Sequence, residues 1–186
     1  WVDQLARTLF ASTREQGAEA AAAALADGFA PEDIGEAMSL AANMLVLHDP
    51  GRAEKSASGD KPKDSLHGAS VGVHASDAAH SWPNITRVTN LRNQICSLIV
   101  GGWHTAGQTG YVTDDPFAFD VDAIASKKPG PNELLDELKG AVESKDQPRA
   151  MAIVKYWETA GHRPKAIFDC LRQYAVSQDG ALHAEK

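Results

Sequence analysis

Residues 66–108 read LHGASVGVHASDAAHSWPNITRVTNLRNQICSLIVGGWHTAGQ. The stretch holds His67, His74, His80 and His104 of the chain's seven histidines, and Trp82 and Trp103 of its four tryptophans. Its spacing is helical, with only short strand-like pieces such as Ser70 to His74. A short helix is expected over about Val73 to Ser81. A boundary or kink is expected at Trp82-Pro83, because a residue before proline avoids helical backbone. A longer helix should then run from Pro83 to about Val100. Ile85, Val88, Leu91, Ile95, Leu98 and Ile99 form its apolar stripe, giving it the look of a buried helix. Gly101-Gly102 should end it, and the small residues from Gly101 to Gly107 suit close backbone packing or a pocket wall.

Working outward, the flanks read as helical scaffold. Val2, Leu5, Ala6 and Leu9 have helical spacing. Ser12 or Thr13 offers an N-cap for an alanine-rich helix over about Arg14 to Asp27. Gly28 is its left-handed stop. Pro31 opens the next helix, with Glu32 and Asp33 complementing its dipole. Ile34, Ala37, Met38, Ala41, Leu45 and His48 share one face there, and Asp49-Pro50-Gly51 ends the helix. Residues 52–65 read as an exposed loop, and residues 105–131 as a long irregular connection. Asn132, Asp146 and Pro164 should then open three helices. Leu134, Leu135, Leu138 and Val142 face inward on the first; Met151, Val154 and Trp157 do so on the second.

Thr13 to Ala42 and Asp146 to Ala175 read alike. Thr13 matches Asp146, Gly28 matches Gly161, Pro31 matches Pro164, and Ile34 matches Ile167. Hairpins at about 13–48 and 146–178 are therefore expected to be repeats packed around a shared centre, with 66–108 as the site-bearing segment. The fold expected is all-α, a single domain over residues 1–186 built from antiparallel helical hairpins.

Composition is that of a globular protein, 43% hydrophobic and 23% charged, with a formal net charge of −7. The acidic balance and the lack of a basic stripe argue against nucleic acid. There is no signal-peptide pattern and no apolar run of the roughly 18–20 residues a spanning helix needs, so a soluble chain without membrane attachment is expected. The chain opens at Trp1 rather than Met and stops at Lys186 as a new segment begins, which suggests trimmed ends. Cys96 and Cys170 both fall in apolar helical patterns and are expected to be buried free thiols. A small-molecule substrate and self-association are both compatible with this composition.

Histidine density is the main chemical clue, since a neutral imidazole binds metals or haem iron and carries protons near neutral pH. His74 and His104 lie near junctions of expected elements and are candidate acid–base groups and metal ligands. His48, at the end of its helix, is a further candidate ligand. His74 and Asp77 share a helix face, as a ligand and its supporting carboxylate would. Arg87, Asn90, Asn93 and Gln94 recur beside the apolar stripe and must find partners, either a ligand or neighbouring loops. Arg87 is a candidate catalytic residue, and Asn90 and Trp103 are candidate cofactor contacts. No HExxH, CxxC, nucleophile elbow or phosphate loop is present. The residues thus point to an oxidoreductase using a transition metal or haem in a histidine-lined pocket. The alternative is a non-enzymatic helical-repeat interaction module, which should carry an exposed apolar groove and dispersed histidines.

Overall fold

The computed structural model describes residues 1–59, 63–64, 71–116 and 118–177, with side chains throughout except at 71–78, 111 and 175–177. The chain is all-α: among the described residues there are nine α-helices and no strand. It divides into two compact units, Trp1–Pro116 and Phe117–Lys186. Among the described residues no helix is long and apolar enough to cross a membrane.

The first unit holds α1 (Val2–Ala11), α2 (Arg14–Ala26), α3 (Pro31–Leu47), α4 (Val71–Thr86) and α5 (Leu91–Ala106). Its punctuation follows the expected local chemistry. Thr13 caps α2 reciprocally: its hydroxyl accepts from the Gln16 N–H at 3.3 Å, and the Gln16 side chain accepts from the Thr13 N–H at 3.0 Å. Gly28 takes a φ of 85°, and Pro31 opens α3. The α3 face of Ile34, Ala37, Met38, Ala41 and Leu45 is buried and forms one core with Leu5, Leu9 and Leu98.

Small residues set the helix spacing. Gly17, Ala21 and Ala24 are buried along α2. A Cβ placed on Gly102 of α5 would lie 2.7 Å from the Gly17 carbonyl oxygen and 3.0 Å from the Ala21 Cβ. The glycine pair 101–102 therefore does not end a helix. α5 runs through it to Ala106, because Gly102 fits against α2 while Gly101 fits against Met38 and Trp82 on the other side. Close backbone packing, one of the two readings of this stretch, is what it provides.

Pro83 also differs from expectation. It lies inside α4 instead of opening a helix. An internal proline loses one backbone hydrogen bond and crowds the carbonyl four residues back. Here its ring occupies the space left by Gly35 of α3, where a Cβ would meet the Pro83 Cβ and Cγ at 2.8 Å. α4 continues one more turn and closes tightly, with Arg87 N–H donating to Asn84 O and Val88 N–H to Ile85 O, each at 3.2 Å. The break falls at residues 87–90. Asn90 then caps α5, its side chain accepting from the Asn93 N–H at 3.0 Å.

The second unit holds α6 (Val121–Ala125), α7 (Pro131–Glu143), α8 (Gln147–Thr159) and α9 (Pro164–Ser177). Leu134, Leu138, Ala152, Ile153, Trp157 and Ile167 form its own core. Asp146 caps α8 as expected, accepting from the Arg149 N–H at 3.2 Å. Asn132 does not cap α7. Gly130 takes that position, with the Glu133 carboxylate accepting from its N–H at 2.8 Å. The hairpins α2–α3 and α8–α9 share Gly28 and Gly161 at positive φ and prolines at both second starts. Their packing differs: α2 lies mainly on α5, and α3 on α4 and α1, whereas α8 lies mainly on α7. The expected duplication is not confirmed.

Candidate functional site

Burial along the apolar stripe is uneven on the two sides of the break at residues 87–90 and along α5 itself. Of the stripe expected to face the core, only Leu98 is fully buried, and Ile99 is half-buried. Ile85, Val88, Leu91 and Ile95 are exposed, Val88 at 86% and Leu91 at 70%, and Val100 and Trp103 extend the apolar surface along α5. Leu91 and Leu98 lie seven residues apart on α5 and so share a face; burial changes along the helix, whose later turns pack on α2 and α3 at Gly101 and Gly102 while its first turns stay uncovered. A shallow groove of about 240 Å³ lies between the end of α4 and α5, bordered by Trp82, Ile85, Asn93, Cys96 and Val100.

Charge along this part of the chain is one-sided. Residues 78–113 contain no aspartate or glutamate, although the chain carries 25 acidic residues. The fixed charges within that stretch are Arg87 and Arg92. The Arg14 guanidinium of α2 adds a third, lying 4.4 Å from the centre of the Trp103 ring.

A second concavity, of about 360 Å³, lies between the first half of α3 and the second half of α4. Glu32 and Glu36 border it from α3, one turn apart; His80, Asn84 and Arg87 border it from the α4 side. Arg87 NH1 donates to Asn84 Oδ1 at 3.1 Å, and Asn84 Nδ2 lies 3.1 Å from His80 Nε2. A guanidinium can only donate, so Oδ1 must face Arg87 and the amide N–H must face His80. His80 Nε2 therefore accepts.

The sequence-derived candidates separate in space. His48 ends α3; its Nδ1 donates to the Thr113 carbonyl at 2.9 Å, and its ring lies 4.9 Å from that of Phe10. It ties the segment after α5 back to α3. His74 belongs to the backbone of α4, and its side chain lies outside the described atoms. His67 and His183 lie outside the described residues. His104 is half-buried in the last turn of α5, and His162 packs against Trp157 in the second unit. Asn90 caps α5, and Gln94 donates to the Thr86 carbonyl at the end of α4 at 3.3 Å, so these amides hold the α4–α5 junction. Among the described residues no three histidine, cysteine, aspartate or glutamate side chains form a group that could hold a metal ion. The expectation of a metal- or haem-dependent oxidoreductase is corrected on this ground. His48, His162 and His80 are used one at a time, in a helix end, a ring contact and a hydrogen-bonded chain.

Both cysteines are free, but Cys96 is exposed on the groove, against expectation, while Cys170 is buried in the second core. Burial pushes the Cys170 thiol above its usual range, which keeps it protonated and unreactive. Brief iodoacetamide treatment of native protein should therefore label Cys96 and leave Cys170 for the unfolded state. Peptide mass spectrometry reads the outcome; equal labelling of both thiols would contradict these placements.

Sequence reasoning missed Glu32 and Glu36 as cleft residues, since helix-dipole complementarity already accounted for Glu32. Their one-turn spacing on the polar side of α3 was the available signal. Comparison with known proteins adds no relative: no family model matches the chain, nor does any curated protein or solved structure.

Proposed function

We propose that the first unit is a protein-interaction module whose exposed α4–α5 face docks an acidic amphipathic helix of a partner. The observation that carries this reading is the apolar surface from Ile85 to Trp103, set in a stretch, residues 78–113, that carries Arg87 and Arg92 and no carboxylate. An apolar groove between helices receives the apolar side of an incoming helix. Its charged side then faces Arg87 and Arg92, which steer acidic partners and disfavour basic ones. Docking here requires no repeat and no bound metal.

A fluorescent designed peptide tests this, with leucines and phenylalanine at helical spacing and glutamates on the other face. Its anisotropy should saturate with protein, its affinity should fall with added salt, and it should protect Cys96 from alkylation. Burying one aliphatic side chain contributes roughly 1.5–3 kcal/mol, so Ile95→Asp should weaken binding by about tenfold or more. A basic-faced counterpart should bind more weakly. Equal binding of both peptides, or no effect of Ile95→Asp, would refute the proposal. Concentration-dependent dimerisation abolished by Ile95→Asp, without peptide binding, would assign the face to self-association instead. Binding to anionic phosphatidylserine vesicles but not to peptide would assign it to a lipid surface.

A further inference from the structure

The cleft between α3 and α4 differs from the apolar face in chemistry, and the two share only Arg87. We infer that it binds a basic α-amino acid of the lysine or ornithine class.

Opposite charges border one open space here without meeting. Among the described residues, neither Glu32, Glu36 nor Arg87 enters an ion pair. Two carboxylates and a guanidinium nonetheless share a cavity of about 360 Å³, which lies within the size range of small-molecule sites. Their attraction is left for a molecule carrying both signs. Arg87 commits one nitrogen to Asn84 and retains further N–H groups for a carboxylate. Glu32 and Glu36, one turn apart, present two acceptors for cationic groups.

The remaining lining supports the same polarity. Pro83 has no N–H, so the Ala79 carbonyl lacks its helical donor, and Ala79 and Pro83 both border the cleft. The Arg87–Asn84–His80 chain turns the Asn84 amide N–H toward His80 Nε2, which accepts. Two carboxylates against one guanidinium leave a single negative charge in excess. A ligand with two cationic groups and one carboxylate cancels it, and a basic amino acid has that pattern in a molecule of fitting size.

Calorimetric titration of the full chain with L-lysine, cadaverine and L-norleucine tests the assignment. Cadaverine lacks the carboxylate, and norleucine lacks the second amine. L-Lysine should bind saturably, and each comparator should bind at least about tenfold more weakly, the loss of one charge-assisted contact. Arg87→Gln should weaken lysine by a similar factor and leave cadaverine unchanged, whereas Glu36→Gln should weaken both. Circular dichroism checks that the variants keep their helices; were one of them to unfold, the three-ligand comparison on the native chain still decides. Lysine that fails to bind, binds no better than norleucine, or binds equally to both variants overturns the inference. Ile95→Asp should leave lysine binding intact, so failure of the docking proposal and failure of this one are separable.

Discussion

Gly102→Val is expected to destabilise the first unit by about 3 kcal/mol or more, the upper end of overpacking costs. The reason is what stands opposite. The added Cβ would lie 2.7 Å from the carbonyl oxygen of Gly17, and a Cβ on Gly17 would lie 2.5 Å from the Ala106 Cβ and 2.7 Å from the Gly102 carbonyl oxygen. Backbone atoms cannot rotate aside as a long side chain can, so α2 and α5 must separate along their length. Parting them opens the core around Ala21 and Leu98. A small gain in helix propensity over glycine, below about 1 kcal/mol, does not offset this. Gly140 supplies the control. It is exposed within α7, and its added Cβ would meet nothing within 4 Å. Gly140→Ala should therefore stabilise its own unit by up to about 1 kcal/mol, the propensity difference alone. Urea unfolding followed by circular dichroism reads both. Similar small effects at the two positions would mean that α2 and α5 do not approach as described.

The contrast between these glycines shows what sequence can reveal. Stops and starts that depend on a few neighbouring residues were legible. The Thr13 and Asp146 caps, the positive φ at Gly28 and Gly161, and the prolines opening α3 and α9 all follow from local backbone chemistry. Roles set by a distant segment were not. Gly101 and Gly102 read locally as a helix end, and only α2, α3 and α4 make them contacts. Pro83 reads locally as a boundary, and only the vacancy at Gly35 lets its ring stay within a helix.

Legibility of the candidate site follows the same division. Histidine frequency drew attention to residues whose partners are unrelated: Thr113 for His48, Asn84 for His80, and Trp157 for His162. A residue count cannot show whether side chains converge. The apolar stripe around Leu91 was visible, but how much of it the core covers was not. Leu91 and Leu98 lie seven residues apart on α5 and share a face to within about 20°, yet one is 70% exposed and the other fully buried. Burial changes along the helix, because α2 and α3 meet α5 at its later turns around Gly101 and Gly102. An exposed docking surface and a buried core strip thus share one sequence pattern here, divided by position along α5.

That separation gives a second large effect, measurable without any partner. Leu98 is fully buried, and Leu98→Ala should cost about 2–5 kcal/mol through lost burial and the cavity left behind. Leu91, seven residues earlier and two helical turns away, is 70% exposed, and Leu91→Ala should change stability by only about 0.5 kcal/mol. Val88→Ala should behave like Leu91→Ala, since Val88 is 86% exposed. An uninterrupted helix from Pro83 with its whole stripe in the core would instead make all three substitutions costly. The urea midpoints of the three variants therefore read how far along the stripe the core extends. Should Leu91→Ala prove as damaging as Leu98→Ala, the apolar face would be core, and the docking proposal would lose its surface. Should Leu91→Ala be neutral for stability yet weaken the acidic peptide, the same leucine is free in folding and engaged in binding, a combination that an outward-facing contact residue has and a core residue does not.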